Sequence, residues 1–214
     1  MFKKLFGKKS HEVASGPATK MPAWVPKLNP EDMGIRTEDE LYQRLIALWA
    51  VVGAAKTGQA YFAEYIEQNG MMDWLTPNER AFLFSQSRSE RQINQFSWQA
   101  ECLQLLAWCG GLYGNLDLPR TYSELGDWFA LFPADMEDVG RLRRALKVRD
   151  KNELIMWSDK LMNAHWLVRD KRINNKSAQI NLDGEVVQEW HYAINWMVYF
   201  LEDPQDWDDV TTDT

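Results

Sequence analysis

Cysteine is scarce: two residues in 214, too few for the disulfide scaffold that holds small secreted domains together. Cys102 and Cys109 fall on one predicted helix, where the helical rise sets their α-carbons about 10 Å apart, beyond disulfide reach. Reduced, buried thiols in a cytoplasmic protein are the expectation. Long apolar runs are missing too. The longest strongly apolar stretch, Leu45 to Ala55, falls far short of the roughly 18–20 residues that cross a bilayer. Strand-like alternation is confined to Ala178, Ile180 and Leu182, which allows one short strand or hairpin near 178–187. No P-loop, GxGxxG, GxSxG, HExxH, CxxC or kinase-type motif occurs, so the commonest signatures of nucleotide, hydrolase and metal chemistry are absent.

Positive charge is short as well. The formal net charge is −7, and it is unevenly spread. Residues 1–20 hold five lysines against Glu12, a net of +4, which leaves −11 on the remainder. An acidic body argues against a nucleic-acid platform. The opening Met-Phe-Lys-Lys-Leu-Phe-Gly-Lys-Lys resembles the start of a signal peptide, but no apolar stretch follows, so export is not expected. Residues 1–9 offer a short basic and aromatic contact for an anionic membrane surface, too short to hold strongly.

Aromatic residues are abundant: 11 Trp, 9 Phe and 7 Tyr. That payload implies a substantial core, an aromatic surface, or both. Residues 1–36 read as a basic arm with prolines at 17, 22, 26 and 30, a composition of extended, mobile chain. Residues 37–214 read as a single all-α domain of about seven helices. Capping boxes mark helix starts at Thr37-Glu40, Thr76-Glu79, Ser89-Gln92 and Thr121-Glu124. Further helices are expected over Gly58–Gln68, over Asp135–Val148, after Asp150, and from Asp183-Gly184 through Leu201. The basic run Arg141 to Lys151 reads as a solvated helix face, with Glu137 and Asp138 placed to pair with Arg141.

The helix from Ser89 to Cys109 is apolar around much of its circumference, yet it carries Glu101. A carboxylate there needs a partner or a raised pKa. It is either a catalytic or ligand-binding group or a structural acid tied to an arginine or a tryptophan N–H; the structural reading weighs more, since such networks also perturb pKa. His165, Glu189 and His191 complete the candidate catalytic set. Glu189 and His191 stand about 200° apart on a helix and cannot hold one ion together, so no metal and no cofactor are expected. Trp98, Trp166, Asn195 and Trp196 are the candidate ligand-binding residues beside them. The tail from Trp207 through Asp208 and Asp209 concentrates acids next to a tryptophan, an arrangement suited to a cation or a basic partner, or to local capping once Trp207 docks.

The segments Trp98-Gln99-Ala100-Glu101, Leu105-Leu106-Ala107-Trp108, His165-Trp166, Val186 through Trp196, and Trp207-Asp208-Asp209-Val210, with the Thr76-Pro77-x-Glu79 box, resemble a mostly bacterial family catalogued as domain of unknown function 4272. The likeness spans roughly residues 37–214. The chain departs from the family pattern at Trp190 and Gln99, where relatives tend to carry arginine. The resemblance implies a shared fold and points to the same acids and histidines, without an activity. Three functions remain in view: a non-enzymatic interaction protein (immunity-like or adaptor-like) that binds another protein through an acidic aromatic face; an enzyme or small-ligand binder built on Glu101, His165, Glu189, His191 and Asn195; and a membrane-surface protein anchored by residues 1–9.

Overall fold

In the computed structural model, residues 28–136, 138, 140–174 and 181–212 are described. Among them seven α-helices and one two-stranded sheet form the fold. Strand β1 (Met33–Ile35) is followed by α1 (Glu38–Thr57), α2 (Tyr61–Gln68), a 3-10 turn (Met72–Trp74) and α3 (Pro77–Leu83). Then come α4 (Glu90–Cys109), a second 3-10 turn (Asp127–Leu131), α5 (Arg141–Ala145), α6 (Lys151–Asn174), α7 (Gly184–Met197), β2 (Val198–Phe200) and a last 3-10 turn (Trp207–Asp209). The residues expected to form the basic arm lie outside this description up to position 27, as does the candidate membrane contact at 1–9.

Three of the helix starts are fixed by reciprocal capping. Thr37, Thr76 and Ser89 each accept a hydrogen bond from the backbone N–H three residues on, and Glu40, Glu79 and Gln92 each return one to the cap backbone. Two of the four unpaired N–H groups at each start are thereby satisfied, worth about 1 kcal/mol per cap. The best-packed pair is α1 with α4, and α7 lies between α4 and α6. α1 is buried on nearly every side from Leu41 to Ala54. Its Trp49 sits edge-on to Phe62 at 5.0 Å and Tyr65 at 5.1 Å, which pins α2 against it.

Elsewhere long-range contacts override local signals. The Thr121 box does not open a helix: Ser123 turns its N–H and hydroxyl to Glu101 of α4 (2.9 and 2.5 Å), and only the 3-10 turn at Asp127–Leu131 forms there. The helix expected over Asp135–Val148 shrinks to α5. Gly140 disfavours helix before it, and after it the chain runs extended so that Lys147 and Arg149 donate N–H bonds to Gly110 and Cys109 (2.9 and 3.0 Å). Asp138 does pair with Arg141. Arg149, by contrast, is no solvated residue. Its guanidinium lies over Trp108 at 4.4 Å and donates to the carbonyls of Trp108 (2.7 Å), Tyr113 (2.6 Å) and Gly114 (3.0 Å). It closes the C-terminal end of α4, where unpaired carbonyls favour a cation.

The sheet among the described residues lies outside 178–187. Residues 178–180 lie outside the described set, and Asp183 caps α7 by accepting from the N–H groups of Glu185 and Val186. α7 stops at Met197 because Val198 turns extended. Val198, Tyr199 and Phe200 then pair antiparallel with Ile35, Gly34 and Met33, which brings Arg36 beside the end of α7.

Gly53 tests the α1–α2 contact. A methyl group on it would approach the Phe62 ring to 2.2 Å. Gly53→Ala gains about 1 kcal/mol of helix propensity, but overpacking a tight contact costs about 1–3 kcal/mol. Urea denaturation is expected to give a lower midpoint; an unchanged or raised midpoint would show that the Phe62 ring yields freely.

Candidate functional site

Where α4 meets α7, one carboxyl group is buried and a second is half-buried. Glu101 is only 5% exposed and accepts from the N–H and hydroxyl of Ser123 and from Trp190 Nε1 at 3.4 Å. Burial raises its pKa; these three bonds pull it down, and the charge of Asp183 adds to the rise. Glu189 accepts the Cys102 thiol hydrogen at 3.2 Å. Its pKa is raised by burial and by the charge of Glu101, against the Cys102 bond. Both cysteines are unpaired and buried, and burial pushes their thiols up, so neither has thiolate character.

His165 of α6 and His191 of α7 face one another with their Nδ1 atoms 2.9 Å apart. One ring must donate and the other accept, which requires at least one neutral imidazole. Trp98 is half-buried and tilted against exposed Tyr122, 5.3 Å between centroids. Trp166 is half-buried on α6. Asn195 donates to the Thr211 carbonyl at 2.9 Å. Trp196 sits edge-on to Trp207 at 5.7 Å. The structure thus brings Glu101 near Glu189, His165 onto His191, and Asn195 and Trp196 onto the C-terminal turn. Glu101 and the histidines are engaged with different partners. Among the described residues no group of three or more His, Cys, Asp or Glu side chains is arranged to hold a metal ion.

An open-sided pocket of about 640 Å³ lies elsewhere, between α1, the Asp73–Asn78 segment, the end of α7 and the C-terminal turn. Of the residues singled out from sequence, it includes Trp196 and the Trp207-Asp208-Asp209 tail. Arg36, Glu40, Arg44, Asp73, Trp74 and Asp206 join them. Neither arginine is available to a ligand as a charge. Arg36 pairs with Glu40 (3.0 Å) and donates to the carbonyls of Trp196 (3.2 Å) and Gln205 (2.5 Å). Arg44 pairs with Glu79, which is 0% exposed. Asp206, Asp208 and Asp209 are exposed and, among the described residues, form no ion pair. The unspent charge around the pocket is negative.

Trp207 is the floor. It is 3% exposed, lies 4.7 Å beneath the Arg44 guanidinium, and accepts the Tyr192 hydroxyl on its carbonyl. Two donors at the pocket are buried without a protein partner, Arg44 Nε and Trp207 Nε1; among the described residues the Tyr61 hydroxyl, Gln99 Oε1 and Gln104 Oε1 are likewise buried and unpartnered away from it. Sequence reasoning marked the tail as acidic and aromatic but missed Arg36, Arg44, Trp74 and Glu79. Only the Thr76-Glu79 box gave a signal, and it reads locally as a cap.

Glu79 serves two elements at once, since one oxygen takes the Thr76 N–H (2.9 Å) and the other takes Arg44. Glu79→Ala leaves a buried guanidinium uncompensated, a loss of about 3–5 kcal/mol. Chemical denaturation is expected to read that loss, with Glu79→Gln milder because it keeps the cap; equal stability of Glu79→Ala and wild type would contradict the pairing.

The histidine pair sets a pH dependence. Burial lowers the pKa of both rings, with the Arg169 charge adding at His165 and the His165 charge adding at His191, which falls to about 3. Unfolded, both titrate near about 6.5. The unfolded chain therefore binds more protons below about pH 6.5, and stability present above that pH drains as pH falls towards 3. The raised carboxyls of Glu101 and Glu189 act in the opposite sense, returning stability as they protonate. An NMR titration is expected to show His191 neutral down to about pH 3, and His191→Gln should flatten the acid limb of stability; a His191 midpoint near 6.5 would refute the sealed pair.

No curated protein and no solved structure matches the chain. A family model described as Domain of unknown function (DUF4272) matches residues 14–210, nearly the whole length. The chain belongs to that family.

Proposed function

We propose that this protein is a non-enzymatic interaction module of the cytoplasm that captures a basic segment of a partner protein in the pocket beside Trp207. The observation that carries the reading is the imbalance of charge: both pocket arginines are engaged within the protein, whereas Asp206, Asp208 and Asp209 face solvent unpaired. Carboxylates grouped around a concave surface raise the local concentration of cations and speed their encounter. The Trp74 ring on the wall adds an apolar and cation-attracting face for a lysine or arginine stem. A body of net −11 has the same polarity and disfavours nucleic acid. Two free, buried thiols suit a reducing compartment, and no described helix is long and apolar enough to cross a membrane.

The alternative is an enzyme or small-ligand binder working through Glu101, His165, Glu189 and His191. The raised carboxyl pKa values favour it. Against it stands access: both Glu101 oxygens and the facing Nδ1 atoms of the two histidines are already bonded inside the protein.

The test neutralises the rim. Asp206 makes no side-chain cap bond to the turn, and all three acids are exposed and, among the described residues, form no ion pair, so the triple change to asparagine is expected to keep the fold, which circular dichroism checks. Titration with the acetylated, amidated peptide Lys4 at low salt is expected to give saturable binding to the wild type. The triple variant should bind about tenfold more weakly, at a few tenths of a kcal/mol or more per exposed pair. Equal binding by both proteins would sink the reading.

A further inference from the structure

We infer that the pocket grips its basic segment by the backbone, with peptide carbonyls accepting the free N–H groups of Arg44 and Trp207. This inference rests on the pocket reading above but on a different observation. Buried donors in folded proteins nearly always have a partner, and a buried indole N–H usually does. Here two such donors go unpaired on side chains stacked 4.7 Å apart, and both side chains line the same pocket. A buried donor without an acceptor costs stability, and an acceptor that reaches it recovers that loss. Both N–H groups lie beneath the pocket surface, and the grip requires the three-residue Trp207–Asp209 turn to shift as the acceptor arrives. That turn is held by the Tyr192 hydroxyl at the Trp207 carbonyl, by Asn195 at the Thr211 carbonyl, and by the buried Trp207 ring packed against Arg44, Tyr192 and Trp196.

The charge around the donors selects the acceptor. Arg44 is already neutralised by Glu79, and Glu40, Asp206, Asp208 and Asp209 surround the same space. A carboxylate brought there meets net negative charge, whereas a neutral peptide carbonyl does not. A polyamine satisfies the rim but has no acceptor for the floor. A free basic amino acid or a chain's C-terminal residue brings a carboxylate, the wrong charge. The occupant is an internal, lysine- or arginine-bearing stretch of polypeptide, its side chains on the rim acids and its carbonyls on the floor donors.

The test compares three probes on the full chain: acetylated, amidated Lys4; the same peptide with a free C-terminal carboxylate; and spermine, which matches the charge of the first. The Trp207 indole N–H resonance, assigned with Trp207→Phe, is the readout. Amidated Lys4 is expected to move it downfield and to bind about fivefold tighter than spermine, the worth of a hydrogen bond or so. Spermine should leave the resonance in place, and the free carboxylate should weaken binding. In Trp207→Phe the advantage of peptide over spermine should largely vanish. An unmoved resonance with equal affinities for peptide and spermine overturns the backbone grip while the acidic pocket stands. Tighter binding of the free-carboxylate peptide also overturns it. No binding by any probe overturns the pocket reading itself.

Discussion

The ion pair between Arg44 and Glu79 is the constraint on which the rest is arranged. α1 is buried almost all round, and a guanidinium in its middle would be untenable without a counter-charge. The counter-charge comes from the first turn of α3, thirty-five residues on, so α3 has to dock there. Glu79 reaches Arg44 because its other oxygen is held by the Thr76 cap. Once fixed, Arg44 offers a flat cationic face, and Trp207 from the far end of the chain stacks beneath it. A cap, a core helix and the C-terminal turn are thereby joined through one side chain.

The other buried polar groups follow the same economy of local pairing. Glu101 takes Ser123 and Trp190, Glu189 takes Cys102, and His165 takes His191. Each arrangement links α4 or α6 to α7 or to a loop, so the polar groups sit along the seams rather than in one cluster. The raised carboxyl and lowered imidazole pKa values share one cause, burial that disfavours the charged form. A perturbed pKa here records how the helices pack, and a structural role explains it as fully as a catalytic one.

Local chemistry was legible in the sequence and remote chemistry was not. Thr37, Thr76 and Ser89 predicted helix starts because a capping box is a three-residue device, complete in itself. The same signal at Thr121 failed because Ser123 had a better acceptor in Glu101, twenty-two residues away. Val198 has the right spacing to continue α7, yet the unpaired edge of β1 draws it into a strand. Arg149 looked like one more lysine-rich surface residue until its three carbonyl partners fixed it at the end of α4. For the pocket, the tail Trp207-Asp208-Asp209 was visible as acids beside an aromatic ring. Arg36 and Arg44 were not, since nothing in their neighbours says which acids they will meet.

What separates a site from a well-satisfied fold is the group that structure does not account for. The tryptophans show the distinction. Trp49 and Trp157 fill the core, Trp108 carries Arg149, and Trp190 serves Glu101. Each ring has a structural reason to be where it is. Trp207 has one as well, since it closes the bottom of the fold under Arg44, but its indole N–H has none. The same holds at the rim: Glu40 caps α1 and pairs Arg36, whereas Asp206, Asp208 and Asp209 stand exposed within four residues and, among the described residues, form no ion pair. Exposed acids that carry no ion pair above donors without a protein partner are what the proposed ligand, a cation carried on an amide backbone, would answer together.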